Sequence, residues 1–178
     1  EAVINSPTDA MELGIGMIHQ HFKLVEVFTA ADNIVAGTKG SLKGKGAVRD
    51  EINKISEQLG LEVDPDKKVY NMSVSEKQTV EILKVLYRGA KILILDEPTA
   101  ALDPIAERDV YENFRDISRG NTTVFISHRL GSTKLADIIY VLDGGRVIES
   151  GDHEKLMEED GLYAEMFESQ RSWYAQTA

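Results

Sequence analysis

With 178 residues, 42% hydrophobic and 28% charged, the chain is long enough for one domain with its own core and has the make-up of a soluble globular protein. Thirty acidic residues against twenty basic ones leave a net charge of −10, which argues against nucleic acid as a partner. The absence of cysteine rules out disulfides, zinc–thiolate centres and cysteine nucleophiles.

In chain order, segments alternate between strand-like and helix-like, the pattern of an α/β fold. A short apolar run at 15–18, led in by Gly14, predicts a strand. Residues 29–35 carry apolar positions at helical spacing. The glycine- and lysine-rich stretch 37–46 predicts a loop. From 48 to 59 the face Val48, Ile52, Ile55 and Leu59 predicts an amphipathic helix ended by Gly60. A second helix is expected over 75–88, on Val80, Leu83 and Tyr87 with Ile82 and Leu86 beside them. Residues 91–95 predict a strand in the middle of a parallel sheet, apolar on both faces. A helix over 104–117 with Pro104 in its first turn follows, and then a buried strand at 122–126. Two further strands, 138–142 and 146–149, flank a hairpin turn at Asp143, Gly144 and Gly145. Helices near 152–158 and 161–173 close the chain. No apolar run approaches the roughly 18 residues of a membrane span, so direct membrane insertion is not expected. Residues 1–5 lack the basic start and apolar stretch of a secretion signal. The chain opens on Glu1 rather than methionine, which suggests a processed or excised piece.

The chemistry-bearing residues centre on the strand Ile92-Leu93-Ile94-Leu95, which delivers Asp96 and Glu97 to its C-terminal edge, where α/β folds bind ligands. One carboxylate can hold Mg²⁺ through water and the other can orient or deprotonate an attacking water. A strand that merely ends in an acidic turn gives the same local pattern. Around this pair stand Met72-Ser73-Val74-Ser75-Glu76-Lys77-Gln78 at a helix start, Thr99 to Asp103, and a strand running into Ser127-His128-Arg129. Upstream, Ile15-Gly16-Met17-Ile18 runs into His19-Gln20.

In order and spacing, this set resembles the nucleotide-binding domains of the ATP-binding cassette (ABC) family. The resemblance implies an α/β fold with a partial P-loop (RecA-like) core, a mostly parallel sheet and the family's helical subdomain. The helical, signature-bearing lobe would span about 22–90, and residues 1–21 and 91–178 would form the core lobe. Gln20 matches the Q-loop glutamine, with roles toward Mg²⁺ and the nucleophilic water. Asp96 matches the Walker B aspartate, Glu97 the catalytic glutamate, Asp103 the D-loop aspartate and His128 the switch histidine. Ser73, Val74 and Ser75 sit at the signature, where a helix N-terminus can cap the γ-phosphate of ATP held by an opposite subunit. The implied ligands are ATP and Mg²⁺. The implied partners are a second nucleotide-binding domain and a transmembrane permease, at the cytoplasmic face of a membrane. The signature here reads Ser-Val-Ser-Glu, so both family glycines are replaced and Glu76 brings a negative charge close to an anion site. Residues 19–22 and 72–82 resemble sugar-type importers, whereas 125–130, 140–146 and 161–163 resemble exporter cassettes. The join falls near 96–104.

The phosphate-binding motif G-x-x-x-x-G-K-[ST] does not occur in these 178 residues. The one glycine–lysine cluster, at 40–46, has the wrong spacing and no preceding strand. The expectation is an ATPase module whose Walker A segment comes from upstream and which is inactive as an isolated chain. The alternative is a non-catalytic structural or interaction module that keeps the scaffold without turnover. A remnant that lends its signature helix to a complete cassette is a third reading.

Overall fold

The computed structural model describes residues 2–38, 44–98, 111, 114, 115, 117, 118 and 120–176, with side chains to 172. The chain divides into two units, Glu1–Ile126 and Ser127–Ala178.

The first unit is built on a parallel sheet of β1 (Ile15–Ile18), β2 (Ile92–Asp96) and β3 (Thr122–Ile126), in that spatial order. Ile18 pairs with Leu95, and Leu95 with Phe125, so all three strands end on one edge. This α/β architecture is the one the alternating pattern predicts. Side-chain alternation sorts the sheet into two faces. Ile18, Leu93 and Leu95 are fully buried, and Phe125 packs on the same cluster with its ring 5.6 Å from that of Phe114. That face is covered by α2 (Ala30–Val35), α3 (Lys45–Leu59) and α4 (Val74–Tyr87), which contribute Ile34, Ile52, Val80, Ile82 and Leu83 to the same core.

The opposite face carries Met17, Val124 and Ile126, which are 39%, 47% and 49% exposed. The expected burial of β3 therefore holds for one face only. The physical reason is position: β3 has a neighbouring strand on one side among the described residues, and the apolar Val124–Ile126 row looks away from the helices. β2 does lie in the middle, as its continuous apolar run predicts.

Helix boundaries follow local chemistry. The expected loop at 37–46 ends two residues early, because Lys45 and Gly46 already form the start of α3; residues 39–43 lie outside the described residues. Gly60 ends α3 in the left-handed conformation, at φ 64°. Helix α4 begins at Val74, one residue earlier than its apolar spacing suggests. Its N-cap is Ser73, whose hydroxyl accepts the Glu76 N–H while the Glu76 carboxylate accepts the Ser73 N–H. A short α1 (Pro7–Glu12) escaped the periodicity reading; Ser6, Pro7 and Asp9 form its N-cap, first position and capping partner. Helical backbone at Tyr111, Phe114, Arg115, Ile117 and Ser118 agrees with the helix expected before β3, while Pro104 lies outside the described residues.

The second unit packs an antiparallel hairpin, β4 (Ile139–Asp143) and β5 (Arg146–Gly151), against α5 (His153–Glu158) and α6 (Leu162–Gln176). Gly144 and Gly145 both take positive φ, 53° and 75°, the tight turn that the Asp-Gly-Gly run predicts. Leu130, Ile139, Val141, Leu156 and Tyr163 form its core. The Glu149 carboxylate accepts the N–H groups of Leu162 at 2.6 Å and Tyr163 at 3.0 Å, which caps α6 from a neighbouring strand. The Tyr163 hydroxyl lies 2.7 Å from the Thr133 hydroxyl and 2.8 Å from His153 Nδ1.

Candidate functional site

Parallel strands bring their C-terminal residues to one edge, and that edge collects the predicted acidic and amide groups. Asp96 is the last residue of β2 and is half-buried. Gln20 follows β1 by two residues and is exposed. Ile18 pairs with Leu95, so Asp96 lies one residue past the last paired level and Gln20 two, at the same edge of the sheet.

Glu97 sits one residue beyond Asp96 with φ 46°, a left-handed conformation rarely taken by a residue with a side chain. Its N–H donates to the Ile126 carbonyl at 2.9 Å, so the end of β3 fixes the turn that holds this carboxylate. Backbone of this kind costs energy and persists only where its surroundings fix it.

The approach of α4 is set at Gly16. A Cβ on Gly16 would overlap the Val85 side chain and lie 2.9 Å from Ala90 Cβ, so the helix presses directly on the main chain of β1. One turn earlier, Glu81 reaches the Lys23 N–H, beyond the end of β1. The helix thus runs back from a start beyond the C-terminal edge of the sheet. Its first residue, Val74, lies about 10 Å from Glu81 along the helix axis, at a rise of about 1.5 Å per residue. The first turn of α4 has two of its N–H groups, on Ser73 and Glu76, occupied by the capping box. Those of Val74 and Ser75 make no hydrogen bond within the described residues.

Glu76, a negative charge at that helix end, is neutralised locally. Lys67 Nζ lies 2.6 Å from its Oε1. The Lys67 ammonium first, and then the Ser73 N–H, holds the Glu76 carboxyl below its ordinary value. The Ser-x-x-Glu spacing of this box was legible in the sequence; the lysine partner was not, since it comes from the preceding loop.

His128 belongs to the second unit, two residues after β3 in the chain. It is exposed, and its carbonyl accepts the Gln170 side-chain amide. Asp103 lies outside the described residues. The structure therefore brings Gln20, Asp96 and Glu97 together on one edge and starts α4 beyond it, with His128 carried by the other unit.

The donor set on the edge is a carboxylate and an amide oxygen, hard oxygen ligands of the kind Mg²⁺ takes. No group of three or more His, Cys, Asp or Glu side chains able to hold a metal exists among the described residues. Asp96 and Gln20 could serve such an ion only together with oxygens from water or a ligand.

Comparison with known proteins follows the same line. A family model described as "ABC transporter" matches residues 3–100. A nucleoside import ATP-binding protein of Lactococcus lactis subsp. cremoris is 43% identical over 152 residues, covering 83% of this chain and 30% of that protein. An ATP-dependent lipid A-core flippase of Saccharophagus degradans is 41% identical over 101 residues, 57% of this chain and 17% of its own. A solved bacterial Atm1-family ABC exporter with ATP bound superposes with a TM-score of 0.69 at 31% identity, over 90% of this chain and 29% of that one. The chain spans about a third or less of the length of these relatives.

Proposed function

The chain belongs to the ABC transporter family, within its ATP-binding part, and from that premise we propose that it supplies the catalytic carboxylates and the signature helix of an ATP-hydrolysing cassette, these 178 residues carrying no phosphate-loop motif of their own. One observation carries the reading: Gln20, Asp96 and Glu97 share the C-terminal edge of a parallel sheet, and α4 opens beyond it with two N–H groups that have no partner among the described residues.

In this reading Glu97 is the general base that takes a proton from the attacking water. Asp96 and Gln20 would hold Mg²⁺, which would supply charge neutralisation at the phosphate oxygens when bound with ATP. Val74 and Ser75, with the Ser73 cap, receive the γ-phosphate of ATP carried by a second nucleotide-binding domain, and Asp103 stands beside it. His128 donates to the γ-phosphate or the water. Lys67 keeps Glu76 from repelling the incoming anion.

Val25, Val27, Phe28 and Tyr70 form an exposed apolar group held together by main-chain bonds between 26–28 and 69–70. Such a patch supports contact with a permease partner, and in this reading the cassette sits peripherally at the inner face of a membrane. No helix among the described residues is long and apolar enough to cross one. The reading of the chain as a composite of importer-like and exporter-like parts draws support from the occurrence of both kinds of transporter among its relatives, while the import-protein match, over 83% of the chain, itself runs across 96–104. The second reading, a non-catalytic interaction module, draws its support from the uncovered Val124–Ile126 face.

Titrating a fluorescent ATP analogue with Mg²⁺ separates the two. The isolated chain is expected to show no micromolar binding, and addition of a phosphate-loop segment to create it. Micromolar binding by the chain alone, or none after reconstitution, overturns the proposal. In the reconstituted cassette Glu97→Gln retains ATP binding and loses turnover by about 10²–10⁴-fold; undiminished turnover removes Glu97 from its role.

A further inference from the structure

The core around α4 contains a carboxylate that neither the nucleotide site nor simple packing requires. Glu81 lies among Val80, Ile82, Leu83 and Val85, with its side chain only 3% exposed, and its partner Lys84 is 14% exposed. A buried charge is retained only where partners satisfy it, and an apolar side chain of similar size would pack more cheaply.

Its partners are specific. Glu81 Oε1 accepts the main-chain N–H of Lys23 at 2.6 Å, and Oε2 pairs with Lys84 Nζ at 2.7 Å. Lys84 Nζ then donates to the main-chain carbonyl of the same Lys23 at 3.1 Å. One i,i+3 pair on the helix thus holds both polar groups of a residue 58 and 61 positions away. Nearer the start of α4, Lys77 Nζ reaches Glu26 at 2.9 Å, a second and more exposed tie to the same segment.

Lys23 stands three residues after Gln20 and two before Val25. We propose that Glu81 and Lys84 are positioning residues: they clamp the peptide of Lys23 to α4, so that the Gln20 loop, the apolar group beginning at Val25 and the helix that opens at Ser73 move as one body. Displacement of the exposed 25–28 segment is thereby passed to Gln20 and to the start of α4 without loss in a slack loop. The inference rests on the functional reading for the meaning of Gln20, but the clamp itself exists without nucleotide.

Amide exchange by NMR on the full 178-residue chain tests it, because no nucleotide enters; failure of the nucleotide reading shows in the titration above and not here. In the parent chain the Lys23 amide is expected to exchange within about threefold of the rate of Leu83 inside α4, as members of one cooperative unit do. Glu81→Ala should raise Lys23 exchange about tenfold or more relative to Leu83 and shift its amide proton upfield, with change confined to 20–25. Glu81→Gln, which keeps a carbonyl acceptor, should restore part of that protection. Lys84→Met should release the Lys23 carbonyl and leave its N–H protected. If the alanine variant fails to fold, the glutamine and methionine variants decide. The proposal is overturned if Lys23 exchanges freely in the parent chain or is unchanged by the variants. It is equally overturned if protection falls uniformly over Lys23 and α4, the mark of a purely structural role.

Discussion

At Glu97 the side chain and the backbone make opposing demands. A left-handed φ of 46° costs a residue with a Cβ about 1–2 kcal/mol, and the turn is held by the bond from its N–H to Ile126. Glu97→Gly should therefore raise stability by about 0.5–1 kcal/mol after the added freedom of the unfolded chain is counted, whereas Glu97→Gln leaves the strain in place. Urea midpoints of the two variants check this; a glycine variant less stable than the parent would show that the conformation is relaxed. Glu76 supplies a second residue-scale expectation. Its folded-state carboxyl value lies below the unfolded one, so its contribution is present above the ordinary carboxylate range and is lost as pH falls through the folded value. Removing the ammonium with Lys67→Met should move the Glu76 titration upward, as followed by side-chain carboxyl NMR. No movement would assign the depression to the Ser73 N–H alone.

Among the elements, α4 depends on one glycine. An added methyl at Gly16 meets Val85 and Ala90, so Gly16→Ala should cost about 1–3 kcal/mol through overpacking. The measurement is the thermal midpoint of the first unit; an unchanged midpoint would mean that α4 does not press on β1 as described. Much of this level was legible beforehand. The period of Val48, Ile52, Ile55 and Leu59, the Asp-Gly-Gly turn and the apolar run ending in Asp96-Glu97 each dictated an element that the structure contains. Asp96 and Glu97 followed from the apolar strand that runs into them, and Gln20 from the family resemblance; the parallel sheet then puts all three at one edge. What stayed hidden has a common cause. Lys67 beside Glu76 and Glu81 beneath Lys23 are partnerships across loops, and no local period records them. The exposure of Val124 and Ile126 was missed for the same reason, because an apolar strand does not state whether its second face is covered.

At the scale of the whole molecule, an acidic surface and an uncovered apolar sheet face pull in opposite directions. The net charge of −10 keeps copies apart at low salt, while Met17, Val124 and Ile126 favour contact once that repulsion is screened. Sedimentation should show association that increases with concentration and with salt, and Val124→Lys should reduce it. The lysine also lowers the net negative charge, which by itself would promote association, so a variant that associates more would place the cause in charge and not in this face. That β3 has one neighbouring strand among the described residues has one further consequence. Supplying a strand for its other side as a separate peptide would convert part of a folding reaction into a bimolecular encounter. The yield of completed sheet would then depend on dose, and a tether between the pieces would set the effective concentration. The chain would behave as one half of a complementation pair.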